Sequence, residues 1–113
     1  DKEKDAYFLE NPFFRLPYMK IPVIKEGNLV ANIYIQFDMK AFDKEAFYRA
    51  KILAPRIIDA VFRDLYGALN RWFVESKLSS STLSKRALQV SNNVLGKNSV
   101  EMVYTKELFV SIV

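Results

Sequence analysis

The side chains whose types suit covalent chemistry are the hydroxyls at 79 to 82, and Thr82-Leu83-Ser84-Lys85 comes close to a Ser-x-x-Lys nucleophile and base. Thr stands where that motif has Ser, and no flanking signature accompanies it. A helix start followed by a solvated lysine accounts for the run without catalysis. Carboxylate pairs for acid and base work could be drawn from Asp38, Asp43, Glu45, Asp59 and Asp64. None has pocket or metal spacing around it, and helix caps and solvated faces account for all of them. The three glycines are too widely spaced for a phosphate-cradling loop. Histidine and cysteine do not occur, so the commonest general base, the commonest metal ligand, thiolate nucleophiles and disulfides are all excluded. No catalytic, cofactor or metal site is expected, which leaves binding.

The formal charge of +4 favours anionic partners only mildly, because Lys and Arg are scattered and interleaved with Asp and Glu. Strand aromatics such as Tyr34 and Phe37 could stack bases, but no RNP-type cluster and no GXXG loop occurs. A basic nucleic-acid-binding module is therefore the alternative and not the first expectation. Trp72 and Phe73 end a long helical pattern, Trp72 as a core residue and Phe73 as core or contact.

These side chains must be positioned by elements that the periodicity reveals. A chain of 113 residues, half of them hydrophobic, suffices for one globular domain. Residues 1–17, with their charge run, two prolines and aromatics Tyr7, Phe8, Phe13 and Phe14, read as an extended lead-in that folds back onto a domain spanning 18–113. YMKIPVI and LVANIYIQFDM alternate about a Gly-Asn turn signal, the pattern of a hairpin. Leu29, Ala31, Ile33, Ile35 and Phe37 face the core. Pro22 cannot donate to a ladder, which puts its strand at an edge or a bulge and leaves that edge open to a neighbour.

From Asp43, an N-cap, the period becomes helical through Phe47, Ala50 and Leu53, until Pro55 kinks the path. Ile58, Val61, Phe62, Leu65, Leu69 and Trp72 form the apolar stripe of a second helix, with Asp59 and Arg63 as an i,i+4 pair on its polar side. A third helix carries Leu83, Ala87, Val90 and Val94 and stops at Gly96, before a long final strand. The expected fold is α+β, an antiparallel sheet with helices packed on one face, in the order β-β-α-α-α-β. Exposed-looking aromatics and the edge strand suggest Phe13, Phe14, Tyr18, Arg63 and Phe73 as partner or oligomer contacts.

In RALQVSNNVLGKNSVEMVYTKELFVSIV the helix, the Gly-containing turn, and the strand with Val103-Tyr104, Glu107 and the apolar Leu108 to Val110 resemble the C-terminal part of FliL, the flagellar basal-body-associated family. Upstream, Phe13 to Pro17, the strand pair and Pro55-Arg56-Ile57-Ile58-Asp59 occupy the places of that family's Pro-rich lead-in, strands and central helix. The resemblance covers about residues 7 to 113. It departs in the long helix through Trp72, in the serine run, and in lacking the N-terminal membrane helix. The resemblance implies a domain like those of stomatin and prohibitin, in the periplasm, belonging to a bacterial inner-membrane protein anchored through an upstream helix. It further implies a ring of copies around the flagellar stator that supports a subunit of the MotB type, with no catalytic residues.

Overall fold

The computed structural model describes residues 13–74 and 77–113. Tyr7, Phe8 and the charge run of the lead-in lie outside the described residues. The chain forms strands β1 (Phe13–Arg15), β2 (Met19–Lys25) and β3 (Asn28–Ala41), helices α1 (Lys44–Ile52), α2 (Ala54–Trp72) and α3 (Ser80–Leu95), and strand β4 (Val100–Ile112). The fold is α+β, with one antiparallel four-stranded sheet and three helices among the described residues. The expected strand pair is preceded by one more short strand, so the sheet begins inside the stretch read as lead-in. Phe14 and Leu16 are buried there, because alternation on β1 turns them toward the core.

β3 is the spine. Met39 pairs with Phe14 on one side and Val103 on the other, and Ile35 pairs with Met19 and Leu108. β1 and β2 therefore share one edge of β3 end to end, and β4 runs along the opposite edge. The β2–β3 hairpin turns on Glu26 and Gly27, both at positive φ (52° and 79°), one residue earlier than the Gly-Asn signal suggested. Positive φ at both central residues gives a twist that matches the strands, and Asn28 is thereby free to open β3.

Alternation on β3 sends Ala31, Ile33, Ile35, Phe37 and Met39 into the core with no exposed surface, as expected; Leu29, beside the turn, is exposed instead. The helices cover this face. Ile57, Val61, Leu65 and Leu69 of α2 and Leu83 and Ala87 of α3 join the same core, with Trp72 and Phe73 half-buried against it. Asp43 caps α1, its carboxylate accepting the Ala46 N–H at 2.8 Å. Asp43→Ala should lower the unfolding free energy in urea by about 1 kcal/mol; an unchanged midpoint would show that water serves equally well. Gly96, at φ 108°, ends α3 where the sequence placed the stop.

Two asparagines act on the sheet edges as short pieces of strand. Asn70 of α2 accepts the Ile24 N–H at 2.7 Å and donates to the Pro22 carbonyl at 3.0 Å. These are the β2 groups that point away from β3. A bulge at Val23/Ile24 lies beside the proline, so this strand is both at an edge and bulged. The edge expected to stay open to a neighbour is therefore occupied at Pro22–Ile24 by a side-chain amide. At the start of β4, Asn92 likewise accepts from the Ser99 and Val100 N–H groups and donates to the Val100 carbonyl.

Candidate docking face

Among the described residues, no helix covers the second face of the sheet. Register places Phe13 and Arg15 of β1, Tyr34 and Asp38 of β3, and Tyr104 and Phe109 of β4 on it. Tyr34 and Phe109, directly opposite each other, stack with centroids 4.7 Å apart and planes 14° from parallel. Phe13 and Tyr104 meet at 5.9 Å across the spine strand. Such cross-strand aromatic pairs stabilise a sheet by roughly 0.2–1 kcal/mol each. Here they also stay on view: Phe13 and Tyr104 are each 43% exposed and Phe109 52%.

Two of the cations on this face, Arg15 and Lys40, are closed upon carboxylates, while Lys20, opposite Tyr34, stands apart from them. The Arg15 guanidinium grips Asp38 through two hydrogen bonds, at 2.7 and 3.2 Å. The hydrogen bond to Asp38, and then the charge of that carboxylate, raise the Arg15 pKa above its already high ordinary value, so the guanidinium stays charged in ordinary buffers. The Lys40 ammonium lies 3.5 Å from Glu101, and the Tyr18 hydroxyl donates to the Glu107 carboxylate. Exposed pairs like these contribute little to stability, but they fix where the aromatic rings stand.

Among the residues expected to make contacts, Phe13 and Tyr18 lie on this face. Phe14 does not: it is buried, edge-on to Phe47 at 6.3 Å, because neighbouring residues of a strand point to opposite faces. Arg63 is exposed on α2, paired with Asp59 at 3.1 Å on the helical side of the molecule. Phe73 ends α2 half-buried against the core. Tyr104 and Phe109 were not singled out from the sequence. Strict alternation puts residues five apart on opposite faces; a register shift that leaves Lys106 unpaired between Thr105 and Glu107 brings them to the same face.

The candidate groups for covalent chemistry have structural roles. Ser84 and Thr105 share a hydrogen bond of 2.6 Å, and the Thr105 hydroxyl donates to the Ser80 carbonyl, tying the first turns of α3 to β4. Asp64 takes a two-pronged hydrogen bond from Arg86, at 2.8 and 3.0 Å. With Asp38, Asp43 and Asp59 engaged as above, Glu45 is the one of those five carboxylates without such a contact among the described residues. Among the described residues no group of His, Cys, Asp and Glu could hold a metal ion, and no helix is long and apolar enough to cross a membrane. Compared with known proteins, the chain matches no protein-family model and resembles no curated protein significantly.

Proposed function

We propose that this chain is a non-enzymatic, oligomer-forming accessory domain of the bacterial flagellar motor, of the FliL kind. It would support stator subunits of the MotB type from the periplasmic side of the inner membrane. The motor assignment rests on the sequence resemblance, including the likeness it implies to the stomatin and prohibitin domains. The observation that carries the docking role is the open sheet face, with its exposed aromatic rows. Half-exposed rings there add up to an apolar patch of several hundred Å², roughly the size that marks interaction surfaces on soluble domains. Because Arg15 and Lys40 are paired with Asp38 and Glu101, an apolar segment of a partner or a second copy laid over that part of the face leaves neither cation unpartnered. With Asn70 occupying part of the β2 edge, this face replaces strand addition at Pro22 as the route to self-association.

The alternative, a nucleic-acid-binding module, is favoured by one feature, the stacked Tyr34–Phe109 pair on an uncovered sheet. Two features oppose it. Phe37, the other base-stacking candidate, is fully buried, and Arg15 and Lys40 on the open face are already held by Asp38 and Glu101.

Light scattering across concentration, on this chain and on a version carrying its native upstream segment, tests the assembly. A stator linker peptide tests the partner. Tyr104→Ser combined with Phe109→Ser is expected to weaken self-association or peptide binding at least tenfold, about 1.4 kcal/mol, with far-UV circular dichroism unchanged and stability lowered by no more than about 2 kcal/mol, the worth of the two ring pairs. A strict monomer in both forms that ignores the peptide would sink the motor reading. Retention on RNA or DNA that falls steeply with salt would move the choice to the alternative.

A further inference from the structure

We propose that the corner between α1 and α2 is a contact for an anionic lipid surface. Ile52 stands there 78% exposed, the highest value among the large hydrophobic side chains described. Its exposure is built into the backbone. α1 ends at Ile52 and α2 begins at Ala54, so Leu53 alone makes the corner, its N–H bonded to the Arg49 carbonyl and its own carbonyl accepting from Arg56 and Ile57. Leu53 packs against the core, and the residue before it on the helix is turned outward.

Cations surround this apolar tip. Arg49, Lys51 and Arg56 lie within four residues of Ile52, and no Asp or Glu occurs between Glu45 and Asp59. The Arg49 guanidinium donates to the Ser99 hydroxyl at 2.6 Å, a neutral partner that leaves its charge in place. Lys51 holds its ammonium 4.9 Å from the centroid of the Phe47 ring.

Shape selects the lipid from among anionic partners. Ile52 projects from a convex, one-residue corner. A protein partner would need a pocket formed around it, whereas an interface of headgroups and acyl chains accepts a protruding side chain with no matching shape. A nucleic acid would engage the cations and gain nothing from the isoleucine. Each cation near an anionic leaflet strengthens binding about five-fold, so the two arginines and one inserted apolar side chain give half-binding at a few millimolar accessible lipid. Contact of that strength orients a protein held at a membrane by other means and does not anchor it alone. Beside the corner a cavity of about 620 Å³ is lined by Phe13 to Pro17 and Asp38 on one side and by Lys51 and Ala54 on the other; its one carboxylate, Asp38, is held by Arg15.

This inference does not rest on the motor assignment, since it can be tested on the 113-residue chain alone. Co-sedimentation is measured with vesicles of phosphatidylcholine containing about one-third phosphatidylglycerol, and with phosphatidylcholine alone. The expected result is binding to the anionic vesicles only, reduced about five-fold by Arg56→Gln and at least ten-fold by Ile52→Glu, with circular dichroism unchanged in both variants. Ile52→Leu should bind as the parent does. Equal sedimentation with neutral vesicles, no binding at several times the expected lipid concentration, or Ile52→Glu binding as well as Ile52→Leu would overturn the proposal. So would retention on DNA stronger than on vesicles and indifferent to Ile52.

Discussion

Replacing Asn70 with alanine is expected to lower the unfolding free energy by about 3 kcal/mol and to make the protein more prone to associate. The amide serves three backbone groups: it accepts the Ile24 N–H and donates to the carbonyls of Pro22 and Tyr66. Alanine removes all three bonds and adds none. The Pro22 and Ile24 groups are only partly exposed, and an unpaired polar group there costs about 1–3 kcal/mol where water cannot reach it. The same two groups then face outward as an unfilled strand edge, which another chain's backbone can pair with. Urea unfolding reads the first effect and light scattering the second. A variant as stable as the parent would mean that water satisfies these groups. A destabilised variant with unchanged mass would mean that the bulge at Val23/Ile24 already protects the edge.

Truncating Phe47 to alanine should cost about 3–5 kcal/mol, the range for emptying a buried aromatic site. Phe47 has no exposed surface; its ring meets Phe14 of β1 and, edge-on at 5.1 Å, Tyr48. Its loss should also be felt across the sheet. β1 is only three residues long, with Phe14 holding it to the core while its neighbours Phe13 and Arg15 build the open face. A loosened Phe14 lets both depart from that face. Hydrogen exchange should therefore quicken at β1 more than at the pairing of β3 with β4, and Phe13 should lose its contact with Tyr104. Uniform loss of protection across the sheet would show that β1 does not open separately.

Much of the architecture was legible in the residue pattern because it follows from periods and local chemistry. The alternation from Ala31 to Phe37 needs only the pleat, and Asp43 and Gly96 bound their helices through bonds and backbone angles formed nearby. The 3.6-residue repeat gives Val61, Leu65, Leu69, Leu83 and Ala87 but not Ile57, Ser91 and Leu95, which are buried where Ile58, Val90 and Val94 are only partly covered. The docking face was less legible. Phe13 and Tyr18 could be named as exposed-looking aromatics, but Phe14 was grouped with Phe13 because β1 is too short to show its alternation against a proline-rich background.

Long-range pairing supplied the rest. Asn70 reads in sequence as one more polar residue on a helix; only the docking of α2 beside β2 makes it a piece of strand edge. Tyr104 and Phe109 sit at a spacing that forbids a shared face in a regular strand, and a bulge set by the register with β3 reverses that. By itself the sequence determined the α+β class, the helix limits, the core stripe of the spine strand and the lack of histidine and cysteine chemistry, all of which depend on residue types and near neighbours. Tertiary structure alone decided which aromatics share the open face, which strand edge is closed and which isoleucine is left outside, because each depends on where distant parts of the chain come to rest against one another.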